Sequence, residues 1–318
     1  MSNYGLIDLG SNSIRLVIYE VDDESLPGAR PPTQDPTTDT NIPAFKSLIN
    51  DKVMAGLAAY VDDGVFSKAG VRKAVNVLRD HMRHAEYFDC KKLEVFATAA
   101  LRNATNSEEA VAAIEEQTGL SITILSEHDE AHLGFVGATC ERAINQGTVL
   151  DIGGGSTELT CVKDGKDFNH VSMPQGSLSS FAAHVRGVMP TSDEVRAISE
   201  EMRGRLEKLD RRSTYNAQVV YGIGGSARAA AKMYAQMTDS PVRPKSLTPA
   251  QIRSIIECCL EDPDAFAHTA LKASAERIHT LVPGCTILLT VLDELGAERI
   301  EVGKRGVREG YLVERMLA

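Results

Sequence analysis

Apolar and polar positions change period several times along the chain. Leu6 to Ile18, "LIDLGSNSIRLVI", reads as a short apolar strand, a turn of small residues and a second strand with alternating apolar positions, a β-hairpin pattern. Val149 to Cys161, "VLDIGGGSTELTC", repeats it without a gap at an offset of 143 residues. The repeat sets Asp8 on Asp151, Gly10 on Gly153, Ser13 on Ser156 and Leu16 on Leu159. One unit used twice, about half a chain apart, predicts two related domains. Between the copies the period becomes helical: "SKAGVRKAVNVLRDHMRHAEYF" places Val71, Val75, Leu78 and Met82 on one face. "LEVFATAAL" and "SITILSE" read as strands, and "DEAHLGFVGATCERAI" as a helix. "NSEEAVAAIEEQTGL" reads as a helix with Asn106 as N-cap, Glu109 at the third position and Gly119 as stop. Downstream, "TSDEVRAISEEMRGRLEKL" and "TPAQIRSIIECCL" are capped amphipathic helices, the second opened by Thr248 and Pro249. Helices alternating with strands predict an α/β chain. Leu26 to Pro43, rich in Pro and Thr and without period, predicts an exposed loop in the first domain.

The two hairpin turns suggest their chemistry. Consecutive small residues let backbone N–H groups converge on an anion, and glycine admits phosphate oxygens closer than a side chain would. A Walker loop adds a lysine. These turns add instead Asp8 and Asp151, each at the end of the preceding strand, suited to holding Mg²⁺. A third turn, "VVYGIGGSARAAAKMY", runs from an apolar strand through Gly222, Gly224, Gly225 and Ser226 into a helix expected near Ala227, aiming a helix N-terminus at whatever the turn holds. Arg228 in that first turn opposes the helix dipole, a placement that suits a nearby anion.

Composition narrows the partners. The chain of 318 residues exceeds the usual single core, which supports two domains. A net charge of −10, no Trp and 5% aromatic residues argue against nucleic acid as partner. No apolar run reaches the roughly 18 residues that span a bilayer, so no membrane partner is expected. The six cysteines show no CxxC spacing and the N-terminus lacks a leader pattern, which predicts reduced thiols and a cytoplasmic location.

"GLIDLGSNSIRLVIYEV", "FATAALRNATN", "ILSEHDEAHLGFVG", "VLDIGGGSTEL", "YGIGGSARAAAK" and "LGAERIEVGKRGVREGYL", in this order, resemble the exopolyphosphatase and guanosine pentaphosphate phosphohydrolase (Ppx/GppA) family. That family belongs to the superfamily of actin, sugar kinases and heat-shock chaperone ATPases. The resemblance covers nearly the whole chain and implies two duplicated ribonuclease-H-like domains, 1–126 and 127–318, around a cleft. It implies Mg²⁺-dependent release of the terminal phosphate of inorganic polyphosphate, with guanosine pentaphosphate (pppGpp) as the close alternative substrate, and it allows a homodimer. Carried over by position, Glu130 becomes the general base and Glu158 the second catalytic carboxylate, orienting the water or the metal. Ser11, Asn12, Ser13, Gly153, Gly154, Gly155, Ser156 and Thr157 would cradle phosphates, as would Gly224, Gly225 and Ser226 of the third turn. Asp8, Asp151 and Glu158 would hold the ion, and Arg15 and Arg102 would neutralise chain oxygens. Where family members often carry two glutamates before the alanine, this chain has Asp129 and Glu130; the base remains and activity is expected to survive.

Other readings compete. "HDEAH", His128 to His132, is superficially a zinc-protease helix, but Asp129 stands where that motif needs glutamate. His81 and His84 have the spacing of a metal pair, yet no third ligand is apparent and an exposed helix face is the better reading. A nucleotide-dependent kinase or ATPase would use the same turns, but Glu130 favours hydrolysis. A sensor that binds without turnover would need a disabled base, and Glu130 and Glu158 are both present.

Overall fold

The structure, a computed structural model, describes residues 1–26, 43–210 and 212–318. The loop expected over Leu26–Pro43 therefore lies outside the described residues except for its two ends. The chain divides into two compact units: Met1–Glu130 with Arg308–Ala318, and Ala131–Val307. The division falls near the expected boundary at 126, but the last residues belong with the first unit, so that unit is discontinuous in sequence.

The first unit opens with β1 (Ser2–Leu9), β2 (Ile14–Val21) and β3 (Phe45–Val53), an antiparallel meander. A small hairpin follows, β4 (Val61–Asp62) and β5 (Val65–Phe66), then α1 (Lys68–Tyr87), β6 (Cys90–Ala97), α2 (Ala99–Arg102), α3 (Ser107–Thr118) and β7 (Ile122–Ile124). The main sheet has the order β3-β2-β1-β6-β7, with β6 and β7 parallel to β1. Its core joins Ile7, Leu9, Ile14 and Leu16 of the hairpin to Val71, Val75 and Leu78 of α1 and Ile114 of α3. Ser67 caps α1 by accepting from Gly70 N, and Gly119 ends α3 in the left-handed region. Asn106 precedes α3 but makes no side-chain cap bond; its amide pairs instead with the Phe66 backbone, Oδ1 accepting from N at 2.8 Å and Nδ2 donating to O at 3.0 Å. Part of "LEVFATAAL" is α2 rather than strand, because the chain turns at Thr98.

The dividing line passes through α4 (Glu127–Thr139). The second unit repeats the meander as β8 (Gln146–Ile152), β9 (Thr157–Lys163) and β10 (Lys166–Met173). It continues with α5 (Ser177–His184), α6 (Ser192–Glu207), β11 (Val219–Ile223), α7 (Gly224–Met237), β12 (Ser246–Leu247), α8 (Pro249–Glu261), α9 (Pro263–Ser274), α10 (Leu281–Leu295) and β13 (Arg299–Val302); α11 (Val307–Tyr311) starts at the boundary and, from Arg308 on, belongs to the first unit. Its sheet runs β10-β9-β8-β11-β13-β12. In both units three antiparallel strands in the order 3-2-1 are followed by two parallel strands, the duplicated ribonuclease-H-like arrangement, and the second unit adds β12 antiparallel to β13 at the edge. The two helices expected to be capped are closed by capping boxes, Thr191 with Glu194 and Thr248 with Gln251. α10 is buried around nearly its whole circumference, as a core helix packed on all sides must be. No single helix among the described residues is long and apolar enough to cross a membrane.

Candidate active site

The chemistry-bearing residues gather, in each unit, at the carboxyl ends of the parallel strands, where open α/β sheets place their ligands. In the first unit Leu9 pairs with Ala97 and Ala97 with Ile124, so β1, β6 and β7 end side by side. The turn Gly10–Ser13 leaves β1 there, Arg102 lies just past β6 at the end of α2, and Glu130 lies in the first turn of α4 just past β7. In the second unit Ile223 pairs with Asp151, which sets the turn Gly153–Ser156 beside the start of α7 at Gly224.

The two hairpin turns match bond for bond. Gly10 N donates to Ser13 O at 3.0 Å, and Gly153 N to Ser156 O at 2.9 Å. In the first, the carbonyls of Ser11 and Asn12 accept from Ala58 N and Gly56 N, both at 2.9 Å. In the second, the carbonyl of Gly154 accepts from Leu178 N and Ser179 N, and that of Gly153 from Ser177 N and, at 3.0 Å, from Ser177 Oγ. A trans peptide points its N–H opposite its carbonyl. The N–H groups of Asn12 and Ser13, and of Gly154 and Gly155, therefore face away from those braces, as an anion nest requires. Gly176 at the head of α5 must be glycine, because a Cβ there would stand 2.6 Å from the Gly154 carbonyl.

The copies differ where charge matters. Arg15 faces Asp8 across the first hairpin, and at the equivalent place Glu158 faces Asp151. Asp8 Oδ2 accepts from Arg308 Nη1 at 2.7 Å. Burial alone would lower the Arg308 guanidinium, but Asp8 and Glu309 outweigh it and raise it above its ordinary value. Glu158 is buried and its Oε1 accepts from Ser172 Oγ at 3.0 Å. Asp151 and Glu158 thus form an all-oxygen pair that fits a hard divalent cation, whereas one oxygen of Asp8 is committed to an arginine.

Glu130 Oε2 accepts from Arg102 Nη1 at 2.6 Å, with both side chains largely buried at 14% and 12% exposure. The same Nη1 donates to Leu125 O at 3.1 Å. Arg102 Nε and Nη2 are buried and find no acceptor among the described residues. In the second unit, α7 begins at Gly224 rather than near Ala227, so all three residues of the third turn lie within its first turn. Ile223, the residue before that helix, offers no side-chain cap bond, and the first-turn N–H groups of a helix favour an anion. Gly224 has a positive φ of 75°, and the Asp151 carboxylate fills the space where its Cβ would stand.

Some of the expected hydroxyls are engaged within the protein. Ser226 Oγ donates to Ile152 O at 2.9 Å, and Thr157 Oγ1 to Gln175 O at 2.6 Å. Arg228 donates to the carbonyls of Gly303 and Lys304, so backbone oxygens meet its charge and the anion argument for it weakens. His132 Nδ1 lies 2.6 Å from Asp167 Oδ2 and His128 is exposed, which leaves nothing of a protease-type zinc pair. His81 is fully buried rather than on an exposed face, and Asp51 stands beside it and His84 as the third ligand type that the sequence did not reveal.

Sequence reasoning also missed Arg277 and Arg308. Arg277 sits in a short turn after α9, its guanidinium against Gly225; burial lowers it, with Glu276 and Asp151 opposing. Arg277 stands in no glycine-rich turn and gave no signal, whereas Arg308 lies in the quoted "LGAERIEVGKRGVREGYL", whose glycines marked the stretch without pointing to a partner for it.

The model of the Ppx/GppA phosphatase family matches residues 38–318. Exopolyphosphatase 1 of Mycobacterium tuberculosis (strain ATCC 25618 / H37Rv) is 24% identical over 327 residues, covering 98% of this chain and 88% of that protein. Exopolyphosphatase 1 of Mycobacterium leprae is also 24% identical, over 98% of this chain and 89% of its own. A crystal structure of the Aquifex aeolicus member of the Ppx/GppA family superposes with a TM-score of 0.76 at 22% identity, over 99% of this chain and 98% of that one. An exopolyphosphatase from Cytophaga hutchinsonii reaches 0.80 at 18% identity, over 98% and 96%. At such identities these two structures speak to the fold alone. The family model, matched over most of the length, carries the assignment: the chain belongs to the Ppx/GppA phosphatase family.

Proposed function

We propose that the protein is an exopolyphosphatase that removes the terminal phosphate of inorganic polyphosphate by Mg²⁺-dependent hydrolysis. The observation that carries this reading is the Glu130–Arg102 pair: a carboxylate at a strand's carboxyl end, held at 2.6 Å by an arginine that keeps two buried donors unmatched. Glu130 takes a proton from the attacking water as its oxygen bonds to the terminal phosphorus. The anhydride bond breaks and the shortened chain leaves. Nε and Nη2 of Arg102 supply donors for phosphoryl oxygens, and in the same unit the backbone N–H groups of the Gly10–Ser13 turn offer an anion nest and Arg15 adds charge. In the second unit the Gly153–Ser156 and Gly224–Ser226 turns offer the same kind of donors, and Asp151 and Glu158 would hold Mg²⁺, which would offset phosphate charge. The relatives named exopolyphosphatase support the substrate class.

The test is phosphate release from long-chain polyphosphate, pppGpp and ATP, each with and without Mg²⁺. Metal-dependent release from polyphosphate well above the other two is expected. Preference for pppGpp would move the assignment to the alternative substrate, and tight polyphosphate binding without release would make the site a sensor. Glu130→Gln should keep polyphosphate binding and slow turnover by about 10² to 10⁴. Turnover like that of the parent would remove Glu130 from the role of base.

A further inference from the structure

We propose that Asp51, His81 and His84 of the first unit form a binding site for a divalent transition metal of the zinc class. His81 and His84 lie one turn apart on α1, and Asp51 lies on β3. His84 Nδ1 is 3.1 Å from Asp51 Oδ2 and His81 Nδ1 is 3.5 Å from it, and one ligand atom of each residue lies within 4.8 Å of the other two. Tetrahedral zinc holds imidazole nitrogen and carboxylate oxygen at about 2.0–2.2 Å, which sets ligand-to-ligand edges of about 3.3–3.5 Å. The measured separations bracket that edge.

An ordinary ion pair accounts less well for His81. Its side chain is fully buried, and its ring nitrogens meet only the Asp51 carboxylate at 3.5 Å and the Ile14 backbone, neither in good hydrogen-bond geometry. Burying a polar ring so weakly partnered is unfavourable, and an ion bridging it to Asp51 and His84 reduces that penalty. Two imidazoles and one carboxylate select zinc, cobalt or nickel over Mg²⁺, which prefers oxygen throughout. This site is therefore chemically different from the Asp151–Glu158 pair. The His84 side chain is 52% exposed and that of Asp51 34%, which gives an ion a way in and leaves a fourth position for water.

The site also has a mechanical role. Among the described residues β3 is the outer strand of its sheet and pairs with β2 alone. Beyond its end, Gly56 and Ala58 donate to the carbonyls of Asn12 and Ser11. An ion pinning Asp51 to α1 steadies the strand whose continuation braces the first phosphate turn.

The experiment uses the untagged full chain, stripped by chelator and titrated with Co²⁺ in excess Mg²⁺, followed by visible absorption and by the melting temperature. Wild type should take up about one Co²⁺ with tetrahedral bands free of thiolate charge transfer, and its melting temperature should rise. His84→Ala, on a half-exposed position, should melt like wild type without metal, lose the rise and bind at least ~10-fold more weakly, since even the outer partners of metal ligands are worth that much. Asp51→Asn should behave alike. Wild type taking up no Co²⁺ at micromolar concentration, or both variants keeping full affinity, would overturn the proposal.

Discussion

A methyl group on Gly137 would run into the backbone carbonyl of Gly306, whereas one on Gly225 would meet the end of the Arg277 side chain. Backbone cannot yield cheaply and a long side chain can, so two identical substitutions should have opposite signatures. Gly137→Ala should destabilise the second unit by about 1–3 kcal/mol, read from denaturant unfolding. Gly225→Ala should leave stability nearly unchanged but displace Arg277 from beside Asp151 and cut phosphate release. A Gly225 variant with full activity would separate Arg277 from the chemistry. Of the individual residues, those inside small-residue turns could be named from spacing, because a nest needs consecutive small residues and leaves a visible run. Asp51, Arg277 and Arg308 could not, because each meets its partners through folding across 30 to 300 positions, as Arg308 does with Asp8.

α4 shows how one element carries both stability and a candidate base. Ser126 Oγ accepts from Asp129 N at 3.0 Å and donates to Asp129 Oδ2 at 2.6 Å, and Arg315 Nη2 lies 2.7 Å from Oδ1. The Ser126 hydroxyl foremost, opposed by burial and helped by Arg315, holds the Asp129 carboxyl below its ordinary value. A carboxyl lowered in the folded state adds stability above its unfolded value near 3.9, and that stability is lost as pH falls through the folded value. Asp129 is about one third exposed, so the contribution should be discounted to about 0.5 kcal/mol. Asp129→Asn should narrow the stability difference between pH 6 and pH 3 by that amount, measured by urea unfolding; an unchanged difference would remove the cap from the account. Hairpins, capping boxes and the Gly119 stop were legible in the sequence, since each is a local bond between near neighbours. The side-chain duty of Asn106 and the start of α7 were not, because the Phe66 backbone competes for one and tertiary pairing at Asp151 fixes the other.

At the scale of the whole chain, the repeat at Leu6–Ile18 and Val149–Cys161 foretold two related sheets, and both share a core of three antiparallel and two parallel strands, to which the second adds β12. What it did not foretell is that the first unit is finished by residues 308–318. There Tyr311 stacks on Phe96 with ring centroids 5.1 Å apart, Tyr19 Oη donates to Glu309 at 2.7 Å, and Met316 and Leu317 are buried. Removing 308–318 takes away those contacts and leaves the Asp8 carboxylate without its arginine, a loss of about 3–5 kcal/mol for a buried pair alone. The truncated chain should lose the cooperative unfolding of the first unit while the second keeps its own. Hydrogen exchange resolved by region would read this, and retained protection of β1 and β2 would contradict it.

The discontinuity also orders events during synthesis. Ribosomes deliver residues 131–307 before residue 308, and domains fold as units while the chain emerges. The second unit can therefore complete first, while the nascent first unit waits with its initial hairpin already made. The arginine that answers Asp8 is made only after the whole second unit. A growing chain is thus kept from a finished first hairpin turn until residues 131–307 have been made.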